Sequence, residues 1–322
     1  MKNLAQPPHT KNPQNQPRRV GVELEFIGLS AATAADLVAD VFGGDPTAES
    51  KYRYMVNTPK YGEFMVELDT IYAHDNNKTY NEYAKRLDIA QELAQLVGDV
   101  SRDFVPMEIV GPPLAWTTLE KFDEMVVTLR EKGAKGTMAA PYYAFGCQLN
   151  AEIAAPTVEH ILPILQAFLI MEPWLRQKSN KDLTRKISGF ADPFPKAYQA
   201  KVLNPDYAPT LEELIEDYLK ANPTRNRALD MLPLFKYLKP ELVEALEDER
   251  IQARPAYHYR LPDCPLGDTS WKVSDEWNRW VKVEQLANNP EELSDRAAIH
   301  LKNLNRPWIQ KCRDWVKEKL AS

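Results

Sequence analysis

Hydrophobic and polar positions alternate most clearly in three short stretches. In "RRVGVELEF" (18–26), Val20, Val22, Leu24 and Phe26 fall on one side of an extended chain, and Gly21, Glu23 and Glu25 on the other. "EFMVELD" (63–69) sets Phe64, Val66 and Leu68 against Glu63, Met65, Glu67 and Asp69. "YYAFGCQLNAEI" (142–153) sets Phe145, Cys147, Leu149, Ala151 and Ile153 against Gly146, Gln148, Asn150 and Glu152. A period of two predicts strands. A single strand of this kind implies only a solvated outer face; acids and amides recurring on the polar sides of several strands imply more.

Further strands follow from local signals. "KYRYMV" (51–56) pairs with "EFMVELD" around the turn-rich "NTPKYG", and "FVPMEIVGPPL" (104–114) is a short strand carrying Glu108 and stopped by Pro112 and Pro113. "AYHYRL" (256–261) puts Tyr257, Tyr259 and Leu261 opposite His258 and Arg260.

Elsewhere the spacing is helical. "SAATAADLVADVF" ends at "GGDP", "TYNEYAKRLDIAQELAQLVG" covers 79–98, and a helix opens at a capping box of Thr117 and Glu120. From about 156 to 250 the chain reads as a helical block: "TVEHILPILQAFLIMEPWL", then "TLEELIEDYLKAN" with a capping box at Thr210 and Glu213, then "TRNRALDMLPLFKYL". The last 50 or so residues read as helices packing Trp277, Trp280, Trp308 and Trp315. Strands, a helical block, a returning strand and more helices predict an α+β fold with a mostly antiparallel sheet.

Composition narrows the setting. The chain has 322 residues, 44% of them hydrophobic, enough for a substantial core. The expected organisation is one domain over 18–322, interrupted by the helical insertion and preceded by a disordered lead-in at 1–17, "MKNLAQPPHTKNPQNQP". A net charge of −6 without a basic run argues against a nucleic-acid binder. The three cysteines, Cys147, Cys264 and Cys312, are widely spaced, as in a reducing compartment. No run of about 20 apolar residues suggests a membrane span, and no secretory signal stands out, so a cytoplasmic location is expected.

The polar sides of these strands collect Glu23, Glu25, Glu67, Asp69, Glu108, Gln148, Asn150, His258 and Arg260. On one sheet face, five carboxylates would repel unless cations or solvent intervene. Mg²⁺ prefers carboxylate oxygens and keeps water or phosphate oxygens as its other ligands, so such a face suits a magnesium-bound triphosphate. Two-metal hydrolysis of a phosphodiester is an alternative use of the same carboxylates.

Five blocks carry a resemblance: "GVELEF", "MEIVGPPL", "FGCQLN", "RNRALDML" and "YHYRLPD", in this order over residues 20–263. Together they resemble the signature blocks of the amidoligase family within the glutamine synthetase and glutamate-cysteine ligase superfamily. The resemblance implies a curved, mostly antiparallel sheet of glutamine synthetase catalytic-domain type, with helices on one face and a helical insertion. It also implies an ATP- and Mg²⁺-dependent carboxylate-amine ligase that works through an acyl phosphate. Glu23 and Glu25 match paired metal ligands, Asp69 falls at a turn after a strand on the metal side, and Glu108 matches an acidic residue with metal and catalytic roles. Arg225 or Arg227 falls where a helix arginine approaches nucleotide phosphates, Asn150 joins the nucleotide-binding set, and Arg260 matches a catalytic arginine that contacts substrate or phosphate.

Two positions depart from the family. Gln148 stands where relatives have a metal-binding histidine, and His258 where they have a glutamate. Either an imidazole nitrogen and an amide oxygen replace the ligand pair, or that metal site is lost; a catalytically silent binding module therefore stays open as a further alternative. Expected partners are small-molecule or peptide carboxylates and amines, with a glutamine amidotransferase as an associated enzyme.

Overall fold

A computed structural model of the protein describes residues 4–50, 52–68, 107–136, 145–179 and 191–304. Asp69, the helix expected over 79–98, Cys312 and the segment with Trp308 and Trp315 lie outside them. β1 (Arg19–Phe26) is flanked by β5 (Met107–Val110) and β7 (Cys147–Glu152), and the two-residue β6 (Leu114–Ala115) pairs with its start. Outward from β5 lie β4 (Gly62–Leu68), β3 (Arg53–Thr58) and β2 (Asp45–Ser50); outward from β7 lie β9 (Ala256–Tyr259) and β8 (Leu229–Asp230). All ladders are antiparallel, giving one nine-stranded sheet among the described residues. The fold is α+β, as the order of patterns predicts.

The apolar side of the strands forms the core. Val20, Val22, Leu24 and Phe26 of β1 are fully buried, with Leu149 and Ala151 of β7 and Tyr257 and Tyr259 of β9 alongside. Helices cover this face: α1 (Ala31–Phe42), α2 (Glu120–Glu131), α3 (Val158–Ser179) and, later in the chain, Val273–Ala287. Phe42 of α1 and Phe122 of α2 pack on Phe64 of β4, while Phe168 of α3 and Trp280 pack on Tyr259. By length and composition α3 could cross a membrane, but half of that window is buried inside the protein.

Among the described residues the other α-helices are α4 (Lys196–Val202), α5 (Leu211–Ala221), α6 (Leu232–Leu238), α7 (Pro240–Val243) and α9 (Pro290–Leu304), and the helix Val273–Ala287 is α8. The Thr210–Glu213 capping box of α5 forms as expected. That of Thr117 and Glu120 does not: pairing of β6 with β1 and stacking of Trp116 on Trp277 turn the chain early, so Thr117 sits in a 3-10 turn and α2 starts from Leu119 without a side-chain cap. The strand β2, "DPTAES", carries no alternation and is an addition to the predicted set.

Two further differences bear on the site. Residues 4–17, expected as a disordered lead-in, are tied to the domain: Trp277 Nε1 donates to the Ala5 carbonyl (3.0 Å), and Asn12 Nδ2 donates to Glu152 (3.2 Å). The stretch 224–231, read as helix, is instead a turn followed by β8. Asn226 N donates to Thr224 Oγ1 (3.1 Å), one of the local side-chain bonds that compete with a helix, and Leu229 and Asp230 pair with Tyr259 and His258.

Candidate active site

The register decides which polar side chains meet, because residues directly opposite in an antiparallel pair share a face. Arg53, Glu67, Glu108 and Glu25 form one row across β3, β4, β5 and β1. The next row holds Met65, Val110, Glu23 and Gln148. A third holds Gly21, Asn150, His258 and Asp230. Glu23, Glu25, Glu108, Gln148, Asn150 and His258, predicted separately from distant parts of the sequence, thus share one face of the sheet. Glu67 joins them, with Arg53 Nε 3.7 Å from its carboxylate.

The face is enclosed. Glu25, Glu67, Glu108, Gln148, Asn150 and His258 are all buried, and Asp230 is completely so. Glu25 accepts from the Gly146 backbone N–H (2.7 Å) and from Gln148 Nε2 (2.5 Å). A carboxylate only accepts, so Gln148 presents its NH₂ to Glu25 and its carbonyl oxygen to His258. His258 Nε2 lies 2.7 Å from that oxygen and donates to it. Asn150 Nδ2 donates to Glu23 (2.7 Å).

This chain fixes the imidazole tautomer. With Nε2 protonated, a neutral His258 carries its lone pair on Nδ1, which is buried, lacks a hydrogen-bond partner and faces Asp230 Oδ2 at 3.6 Å. Asp230 accepts from Leu232 N through its other oxygen (3.0 Å). Burial pushes the Asp230 carboxyl up to about 6, against the pull of Arg260, the Leu232 N–H, Arg225 and Arg254. Burial also pushes His258 well below its usual value, and Arg254, Arg260 and Arg225 push it further. The imidazole is therefore neutral at pH 7.

Those three arginines give the site its second half. Arg260 follows β9 and donates from its guanidinium to the Arg225 carbonyl; Arg254 precedes β9 and approaches Glu23 to 3.8 Å. The Nε atoms of Arg225 and Arg254 are buried without a hydrogen-bond partner. Arg225 lies in the turn after α5, not on a helix, and joins this group. Arg227 does not: it donates to the Pro193 carbonyl (2.8 Å) and lies over the Phe194 ring.

Asp230 and Arg254 were not singled out by sequence reasoning. Asp230 stands inside "RNRALDML", where a helical reading hid its place opposite His258; Arg254 sits two residues before the last strand, in "ARPAYHY", with no motif to mark it. Glu152, on the polar side of β7, is taken by Arg19 and Asn12 at the far end of the sheet.

A family model described as "Putative amidoligase enzyme" matches residues 16–282. The chain belongs to this amidoligase family. No curated protein and no solved structure matches it. The matched span takes in β1 through β9 and hence all three polar rows of this amidoligase-family protein. The family name describes an enzyme of ligase type.

Among the described residues, no three His, Cys, Asp or Glu side chains are grouped closely enough to hold a metal ion by themselves. Gln148, carried over as a metal ligand, has its amide engaged at both ends, by Glu25 and His258. Gln148 and His258 are thus hydrogen-bonded to each other.

Proposed function

We propose that the protein is an ATP-dependent carboxylate-amine ligase of the glutamine synthetase and glutamate-cysteine ligase superfamily, requiring Mg²⁺. The observation that carries this reading is the meeting, on one buried sheet face, of Glu23, Glu25 and Glu108 with Arg225, Arg254 and Arg260. A face with carboxylates at one side and guanidiniums at the other is charge-complementary to a metal-bound polyphosphate.

The donor set suits Mg²⁺ in its chemistry. Hard carboxylate oxygens are its preferred protein ligands, and one or two suffice when phosphate oxygens and water complete the shell; an incomplete protein cage agrees with that mode. Glu25 and Glu108, opposite each other across β1 and β5, would hold the ion, with Glu23 beside them. Gln148 and His258 then act as a hydrogen-bonded bridge that orients Glu25, in place of the ligand pair of relatives.

A carboxylate does not condense with an amine in water because its oxygen leaves poorly; phosphoryl transfer from ATP, neutralised by Mg²⁺, supplies an acyl phosphate with a good leaving group. The chain's own contribution is charge placement. Arg260, whose guanidinium donates to the Arg225 backbone carbonyl, would bind the oxyanion of the phosphoryl group or of the substrate carboxylate together with the Arg225 and Arg254 side chains. Burial of the face excludes water that would otherwise hydrolyse an activated acyl group. Amino acids, peptides and polyamines are the substrate classes to screen, and a glutamine amidotransferase is a candidate associated enzyme.

The test is to incubate the protein with ATP, Mg²⁺ and those pools, following phosphate release and new amide products by mass spectrometry. Glu25→Gln and Glu108→Gln should each lower Mg²⁺-dependent ATP affinity at least about tenfold, corresponding to ~1.4 kcal/mol, in calorimetric titrations. Absence of turnover together with absence of Mg²⁺-dependent ATP binding would overturn the proposal. A silent scaffold is the second reading, favoured by the Gln148–His258 bond; it predicts neither ATP turnover nor sensitivity to Glu25→Gln. Metal-dependent phosphodiester cleavage without ATP would favour the hydrolase instead.

A further inference from the structure

Asp230 stands apart from the acidic row, and the helical block holds it in place from several directions. β8 sets it opposite His258. Both of its chain neighbours are tied to Tyr218 of α5, a completely buried side chain: the Met231 N–H donates to the Tyr218 hydroxyl (3.2 Å), and that hydroxyl donates to the Leu229 carbonyl (3.4 Å). Asp230 Oδ1 accepts from Leu232 N (3.0 Å). These bonds fix a side chain whose other oxygen, Oδ2, is buried with no hydrogen-bond partner.

Oδ2 faces the end of a chain of side chains. His258 Nδ1, also buried and without a hydrogen-bond partner, lies 3.6 Å away. Beyond the ring, His258 Nε2 bonds to Gln148 Oε1 (2.7 Å), Gln148 Nε2 to Glu25 Oε1 (2.5 Å), and Glu25 Oε2 to the Gly146 N–H (2.7 Å). The link left open is between Nδ1 and Oδ2. Two bare acceptors facing each other repel, and leaving both unsatisfied costs the desolvation of each. A hydrogen on either atom makes them donor and acceptor, and a closure of roughly 0.7 Å brings them to hydrogen-bond distance. The imidazole is then clamped at both nitrogens. A ring that cannot tilt holds the Gln148 amide, and with it the Glu25 carboxylate, in one orientation.

We propose that Asp230 is a positioning residue for Glu25, acting through His258 and Gln148. Four side chains, one each from β8, β9, β7 and β1, carry that orientation across the sheet. Its consequence for Mg²⁺ and ATP rests on the ligase reading above, whereas the chain itself is measured without either.

Protein labelled with ¹⁵N-histidine and side-chain ¹⁵N-glutamine reports the chain by NMR, the signals being assigned from His258→Phe and Gln148→Leu. In the wild type both His258 nitrogens should show hydrogen-bonded shifts. In Asp230→Leu, Nδ1 should move to the shift of a free imine nitrogen, and the Gln148 amide signal should move with it. Asp230→Asn, which keeps an acceptor for Leu232 N and an N–H for Nδ1, should restore both signals. Calorimetric titration with ATP and Mg²⁺ tests the consequence: Asp230→Leu should lower affinity at least about fivefold, and Asp230→Asn should recover it to within about threefold. Asp230→Leu should add nothing to the loss already caused by Glu25→Gln, whereas a purely structural effect would add to it. If Asp230→Leu does not fold, Tyr218→Phe, which releases both neighbours of Asp230, should give the same shifts. Unmoved His258 and Gln148 signals in the folded variants, or an affinity loss that adds to that of Glu25→Gln, would overturn the proposal. A wild type that binds no ATP counts against the ligase reading instead, and the NMR signals then decide this one.

Discussion

At the scale of single residues, burial is the largest influence on the most deeply placed ionisable groups, Asp230 and His258 among them. Gln148 and His258 illustrate the gain from this: in a dry site an amide that bridges a carboxylate and a neutral imidazole satisfies three groups without adding charge. His160, at the start of α3, shows the cost. Burial pushes it down to about 4, with Arg18 and His9 adding, and its Nε2 accepts from the Ala154 N–H (3.3 Å). The folded pKa lies below the unfolded value of about 6.5, so the unfolded chain binds more protons between the two. The stability that neutral His160 provides is present above pH 6.5 and lost as the pH falls from 6.5 toward 4. His160→Gln keeps the acceptor and does not titrate. The stability difference between wild type and variant should shift by ~2–3 kcal/mol in the variant's favour over that window, measured by urea denaturation at stepped pH.

At the scale of elements, the block "MEIVGPPL" turns out to do two jobs. Met107–Val110 carries Glu108 into the acidic row, and the glycine and prolines that follow stop the strand and hand the chain to β6. Gly111 donates its N–H to the Val22 carbonyl (2.8 Å) and lies under Phe122, so a Cβ there would come within 2.6 Å of the ring. Gly111→Ala should cost ~1–3 kcal/mol through overpacking, seen as a lower urea midpoint with an unchanged slope. The glycine is a packing requirement of α2 on the sheet, and its presence in the block does not by itself mark chemistry. The opposite happened at 224–231. Apolar positions there fit a helix as well as a turn and a short strand, and pairing with β9 chose the strand, bringing Asp230 to His258.

At the scale of the molecule, one buried ion pair joins the beginning of the chain to its last third. Arg18 donates to both oxygens of Glu284 on α8 (2.7 and 2.8 Å), and also to the carbonyls of Glu152 (2.7 Å) and His9 (2.9 Å). Trp280 Nε1 donates to the same carboxylate (2.7 Å). This anchor explains why a proline- and asparagine-rich lead-in, with little of its own to bury, is held against the domain. Removing one member strands the other charge in a dry interior, so Arg18→Met should destabilise by ~3–5 kcal/mol. Combining Arg18→Met with Glu284→Gln should recover part of the loss, because no lone charge is left and the amide oxygen of the substituted side chain remains an acceptor for Trp280; denaturant unfolding of both variants checks this.

The α+β class and the polar sides were legible from residue order alone, because alternation along each strand is local and assigns Glu23, Glu25, Glu67, Gln148, Asn150 and His258 to polar sides without knowledge of neighbours. The tertiary structure decided how those sides line up. Register across β1, β5, β7 and β9 is a long-range property, and it alone put Glu25 opposite Glu108 and His258 opposite Asp230. It also drew Arg254 to Glu23 and sent Arg227 away to Pro193. Desolvation, which fixes the charge state of these groups, exists only after the layers have closed over them.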